Sequence, residues 1–94
     1  MKKLILQQNK ECFFCGKTTG LHHHEVFYGN NRQKSIDWGC QVWLCGAHHN
    51  LTDKGVHGTH GHEKDLILKK YAQKVFEEEY GHEQFMKVFK KNYL

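Results

Sequence analysis

Two short spacings carry the first chemistry in this chain. Cys12-Phe13-Phe14-Cys15 and Cys45-Gly46-Ala47-His48 each separate two metal-binding side chains by two residues. That gap lets both members of a pair reach one ion from a single tight turn. Two such pairs supply three thiolates and one imidazole, a tetrahedral donor set suited to structural zinc. With every position filled by protein, such an ion stabilises a fold and does no chemistry of its own. Cys40 is a spare donor: it is expected either to be a small buried apolar residue or to replace His48 as the fourth ligand. A redox role for Cys12 and Cys15 fits less well, because no βαβ pattern surrounds them.

Once those four are assigned, His23, His24, His49 and His57 remain in the same stretch. His49 follows the zinc pair directly, so zinc would fix its place. His23 and His24 begin a segment that leaves the first cysteine pair. The glycine-bounded segment up to His57 can fold back. Three imidazoles converging on one divalent ion with open positions describe a catalytic centre better than a structural one.

The elements that must position these groups are short. Residues 1–11 read as a lead-in whose Leu4, Ile5 and Leu6 form an edge strand or pack on the core. Cys12 to Gly20 reads as a zinc knuckle, with Gly16 permitting the tight turn. His22 to Tyr28 is rich in β-branched and aromatic residues and reads as a strand. Gly29-Asn30-Asn31 is a turn signal. Arg32 to Asp37 is polar and basic, and a mobile hairpin tip is expected there. Gln41 to Leu44 reads as a second strand that delivers Cys45. A short helix can begin at Ala47. The strongest helix signal runs from Glu63 to Tyr80: Leu68, Tyr71, Ala72, Val75 and Phe76 recur at helical spacing, Glu63 and Asp65 sit in the first turn, and Gly81 stops it. A second helix from His82 to about Lys90 returns Phe85, Met86, Val88 and Phe89 to the core.

Composition bounds the rest. Ninety-four residues make one domain, and a chain this short often needs a staple beyond its apolar core. No apolar run is long enough to cross a bilayer, and the start does not read as a signal peptide. A cytoplasmic location is expected, where Cys-x-x-Cys is more often a metal or redox motif than a disulfide framework. The net charge is +4. Residues 1–62 carry seven basic and four acidic side chains, against seven and six in 63–94. The positive excess thus lies on the histidine half, which suits a polyanion partner. Lys10, Lys17, Arg32, Lys34 and Lys54 flank the histidines in sequence, and Arg32, Lys34 and Lys54 are the candidates for phosphate contacts. Arg32 leads them, since a guanidinium grips a phosphate with two hydrogen bonds. Trp43 is expected in the core.

A His-His pair on the first strand of a knuckle-supported hairpin, then Leu44-Cys45-x-x-His48-His49, then a later histidine, resembles the HNH nucleases with the ββα-metal fold. His24-Glu25-Val26-Phe27-Tyr28-Gly29, Asn31-Arg32, Val42-Trp43-Leu44-Cys45 and Lys91-Asn92-Tyr93-Leu94 resemble small HNH-type proteins of bacteriophages and prophages. Some of their relatives are phage recombination nucleases, including a RecA-dependent one. The resemblance covers nearly the whole chain, with its motif in Cys12 to His57.

The resemblance implies an α+β fold with a small zinc-stapled ββα-metal core at 12–62 and C-terminal helices at 63–94 packed on it. It implies a metal-dependent endonuclease acting on DNA in phage recombination or DNA processing, in the host cytoplasm, with a recombinase or similar protein as a further partner. Structural Zn²⁺ would sit on Cys12, Cys15, Cys45 and His48, and a catalytic Mg²⁺ or Mn²⁺ on His23, His49 and His57, with His24 as general base. In the register shifted by one, His24 binds the ion and Glu25 takes the base position. Adjacent strand residues face opposite ways, so the registers are exclusive. A glutamate is normally too weak a base unless burial raises its pKa. The chain departs from the family where an asparagine usually precedes the second ligand pair: that position is Cys40. A non-catalytic, zinc-stapled accessory protein that binds nucleic acid is the alternative.

Overall fold

The computed structural model describes residues 5–49 and 61–94. They form a small α+β unit: a two-stranded antiparallel hairpin with helices against it. Strand β1 spans Leu21–Glu25, helix α1 Arg32–Asp37, strand β2 Gln41–Cys45, helix α2 Gly46–His49, helix α3 His62–Tyr80 and helix α4 His82–Phe89. The strands pair Leu21 with Cys45, His23 with Trp43 and Glu25 with Gln41. No helix among the described residues is long and apolar enough to cross a membrane.

The hairpin connection is ordered, contrary to the expected mobile tip. A 3₁₀ turn at Gly29–Asn31 leads straight into α1. The reason is Ser35, which is fully buried. Its hydroxyl donates to the Phe27 carbonyl at 2.7 Å and accepts from the Phe27 N–H at 3.0 Å. Its own carbonyl accepts from the Cys40 N–H at 2.8 Å. The polar composition of Arg32–Asp37 belongs to a short helix whose outer side is wet. β1 is also shorter than expected. It leaves the ladder after Glu25, and Val26 and Phe27 then plunge into the core.

The long helix follows its sequence signal within a residue. Leu68, Ala72 and Phe76 are buried, and Gly81 ends the helix at φ 90°, a left-handed conformation that glycine adopts without strain. Tyr71 is only partly exposed, at 38%, and its hydroxyl donates to the Leu6 carbonyl. Phe85 and Phe89 of α4 are buried, while Met86 and Val88 pack only at its margin. Phe27, Phe76, Phe85 and Phe89 form the aromatic centre, with centroids 4.4 to 5.8 Å apart in the contacting pairs. Residues 5–13 run beside β2. Gln7 acts as a stand-in strand: its side-chain oxygen accepts from the Trp43 N–H at 2.7 Å, and the Phe13 N–H donates to the Trp43 carbonyl at 2.9 Å.

Candidate metal centre and histidine cluster

The knuckle forms because Gly16, at φ 76°, turns the chain so that its N–H donates to the Cys12 carbonyl at 2.9 Å, while the Cys12 N–H donates to the Lys17 carbonyl at 2.8 Å. At the other end, β2 carries Cys45 to the start of α2, and one helical turn presents His48 on the same side. The Cys15 and Cys45 sulfurs are 3.7 Å apart. His48 Nδ1 lies 3.6 Å from the Cys12 sulfur and 3.2 Å from that of Cys45. Zinc bonds of about 2.3 Å to sulfur and 2.0–2.1 Å to nitrogen in a tetrahedron predict edges of about 3.8 Å and 3.6 Å. The four donors lie within 4.8 Å of one another, and among the described residues they are the one such group. They form a Cys₃His cluster able to hold a structural zinc ion.

The electrostatics agree. Burial pushes the Cys12 thiol up, but the backbone amides of Cys45, Cys15 and Phe14 outweigh it and bring it down to about 6. For Cys15 the Lys17 amide pulls downward, and desolvation with the neighbouring Cys12 and Cys45 sulfurs overrides it, so that thiol is raised. Three sulfurs this close resist ionising together unless a cation sits among them. Cys40 is not part of the cluster. It is fully buried, and burial alone pushes its thiol up to about 12. Of the two expected fourth ligands, His48 is therefore the one in place.

A second group of imidazoles lies next to this centre. The strand alternation puts His22 and His24 on one face of β1, toward α2, and His23 on the other. His22 Nδ1 is 3.0 Å from His49 Nδ1. The His49 ring centroid is 5.2 Å from those of both His22 and His24, edge-on. His24 is almost wholly buried, at 1% exposure. The structure thus brings His24 and His49 together but does not bring His23 to them. His23 lies over the Trp43 ring, with centroids 3.8 Å apart. Pleating accounts for the separation: next-door side chains on a strand point to opposite faces. Trp43 itself is only half-buried and carries Lys10 over its ring at 4.6 Å.

Glu25 shares the His23 face, where its carboxylate is 2.8 Å from Arg32 Nε. Arg32 is largely exposed, and Lys34 is half-buried on α1. His57 and Lys54 lie outside the described residues.

Two features went unread in the sequence. One is His22, which the two-residue period of a strand would have paired with His24. The other is an ion network at the first turn of α3. The Tyr28 hydroxyl donates to Asp65 Oδ2 at 2.9 Å, and Lys69 Nζ bonds the same oxygen at 2.9 Å while lying 4.3 Å from the Tyr28 ring centre. Burial and the Asp65 carboxylate raise the Tyr28 hydroxyl's pKa. Burial works against the charged Lys69, but Asp65 outweighs it and the ammonium is held above its ordinary value. The Tyr28 ring reaches within 5.9 Å of the His24 ring, so the network backs the histidine cluster. No signal short of the tertiary contact joins residues so far apart in the chain.

Comparison with known proteins gives no matching family model, no similar curated protein and no similar solved structure.

Proposed function

We propose that this chain is a metal-dependent nuclease of the HNH type, acting on phosphodiester bonds in DNA during phage or prophage recombination or DNA processing in the host cytoplasm. One observation carries the reading: His49, adjacent in sequence to the zinc-cluster residue His48, meets His24 and His22 of the facing strand. A structural centre that fixes an imidazole cluster beside it is an arrangement suited to hydrolysis.

His24 is the general base in this reading. A neutral imidazole can take a proton from an attacking water. Glu25 suits the role poorly, since its carboxylate is paired with Arg32. The cluster's imidazoles are chemically fit to hold a divalent ion, which when bound would act as Lewis acid on the scissile phosphate. The neighbouring Tyr28–Asp65–Lys69 network holds the wall behind His24. Plasmid nicking with added divalent ions, wild type against His24→Ala, tests the reading. Equal products from the two proteins would sink it.

A second reading is a zinc-stapled accessory module that binds nucleic acid without cleaving it. It is favoured by Glu25 beside the histidine pair and by Cys40 at the place of the family's asparagine. It predicts DNA binding with no cleavage under any added ion.

A further inference from the structure

Trp43 is expected in the core but stands half-buried on the hairpin face that carries His23, away from His24. On one side it has its cross-strand partner His23, with ring centroids 3.8 Å apart. On the other side runs the segment of residues 5–13, tied to Trp43 through Gln7 and the Phe13 N–H. Between that segment, Trp43 and Tyr71 lies a cavity of about 840 Å³, a size suited to a small ligand or one unit of a larger one. Its aromatic walls are held in place. Tyr71 packs on Phe13 with centroids 5.3 Å apart, and its hydroxyl bonds the Leu6 carbonyl. His23 backs the Trp43 ring. The Gln7 amide is committed at both ends, to the Trp43 N–H and the Glu11 carbonyl. Gln8, Asn9 and Lys10 are exposed wall residues, and Lys10 Nζ lies 4.6 Å from the Trp43 ring centre.

Resting on the reading that DNA is the partner, we propose that this cavity takes one unpaired base of a DNA single strand, stacked on Trp43, with Lys10 moved onto the neighbouring phosphate. The chemistry follows from the walls. An aromatic face stacks any base, so it binds a strand without reading its sequence. The amides of Gln8 and Asn9 offer both donors and acceptors to a base edge. Lys10 carries its charge on a flexible stem, so it can leave the ring for a phosphate. An ammonium over an exposed ring is held less strongly than a stacked base, and the exchange therefore favours the base. The net charge of +4, with its excess in residues 1–62, suits the strand's phosphates. An intact duplex keeps its base faces covered by their neighbours and fills such a cavity only by extruding a nucleotide. The site thus directs the chain to single-stranded or opened DNA.

The test is binding of the full chain to a fluorescein-labelled strand of about 12 deoxythymidines, a length within the usual single-strand site size. Anisotropy gives the affinity and tryptophan emission reports stacking. No divalent ion is added, and plasmid nicking is run separately. The other ligands are a duplex of the same length and dTMP. The strand is expected to quench tryptophan emission and to bind at least about tenfold more tightly than the duplex. Trp43→Ala is expected to weaken the strand about five- to hundredfold, the loss of one base stack. Trp43→Phe keeps a ring to stack on and covers the case in which alanine disturbs the hairpin; its affinity is expected nearer to wild type than to Trp43→Ala. Lys10→Ala is expected to reduce the slope of log affinity against log salt by about 0.7, one phosphate contact on a single strand. The proposal is overturned if Trp43→Ala binds the strand as wild type does, if Trp43→Phe loses as much as Trp43→Ala, if Lys10→Ala leaves the slope as it was, or if the duplex or dTMP binds as tightly as the strand. Strand binding that depends on Trp43 in a protein that never nicks DNA would uphold the cavity and end the nuclease reading. Nicking by a protein whose strand binding ignores Trp43 would do the reverse.

Discussion

His48 and His49 are neighbours in the chain but serve two different clusters: His48 Nδ1 is 3.2 Å from the Cys45 sulfur, and His49 Nδ1 is 3.0 Å from that of His22. One turn of helix therefore couples the candidate metal centre to the imidazole group. Losing zinc should release His49 along with His48. Structural zinc contributes about 10–16 kcal/mol in finger peptides, comparable to the whole stability of a domain. Cys45→Ser, or prolonged chelation, is expected to abolish the cooperative thermal transition. Cys40→Ala is expected to keep one zinc per chain, since Cys40 lies outside the cluster. Metal analysis together with circular dichroism melts checks both.

The base assignment is decided by a charge-neutral change. Glu25 bonds Arg32 on the face that holds His23, away from His24. Glu25→Gln keeps the shape and removes the negative charge. Nicking by this variant is expected to stay within a few-fold of wild type, whereas His24→Ala is expected to lose about 10²–10⁴-fold, the usual contribution of a positioned base. Single-turnover rates on a nicked-plasmid assay report both. A loss of that size in Glu25→Gln would move the base to Glu25.

How much of this was legible in the chain depends on distance. The Cys12/Cys15 and Cys45/His48 pairs were readable because each is local and a two-residue gap lets both members reach one ion from a tight turn. Helix α3 was readable from Leu68, Ala72 and Phe76, whose period is intrinsic to a helix. The choice among His22, His23 and His24 was not readable from an adjacent-pair motif, because facing is set by the ladder: His24 opposite Val42 looks inward, and His23 opposite Trp43 looks outward. The helix at Arg32–Asp37 was missed because its six residues carry no apolar stripe. What orders it is one hydroxyl, Ser35, reaching back to Phe27.

That hydroxyl makes a clean stability prediction. Ser35→Ala would strip the partners from a buried N–H and a buried C=O at Phe27 at once. Each buried group left unsatisfied costs about 1–3 kcal/mol. The Phe27 carbonyl keeps a second lone pair and can relax, so a total loss of about 2 kcal/mol is expected, lowering the melting temperature by about 8–16 °C for a domain of this size. Zinc content should not change. A shift under a degree or two in a scanned melt would mean that water enters and replaces the hydroxyl.

Gln73 does for the C-terminus what Ser35 does for the hairpin. It is fully buried on α3, and its amide is spent on the last residues of the chain. Its oxygen accepts from the Tyr93 N–H at 2.7 Å, and its nitrogen donates to Asn92 Oδ1 and to Glu77 Oε2, each at 2.6 Å. Tyr93 is thereby held 5.4 Å from the Phe27 ring, at the aromatic centre that also seats α4. Gln73→Leu fills nearly the same volume, so packing is largely conserved, but it leaves the Tyr93 N–H without its acceptor. The tail is expected to detach locally while α3 stays folded. Hydrogen exchange at Tyr93 should accelerate by roughly ten- to hundred-fold, corresponding to a lost contribution of about 1–3 kcal/mol, with little change at Leu68 or Ala72. Gln73→Glu is the contrasting variant: it keeps the acceptor for Tyr93 but sets a carboxylate against Asn92 Oδ1 and Glu77. Protection at Tyr93 that survives in Glu and fails in Leu assigns the hold to the amide oxygen. Equal exchange in all three proteins would show that ring packing against Phe27 is what seats the tail.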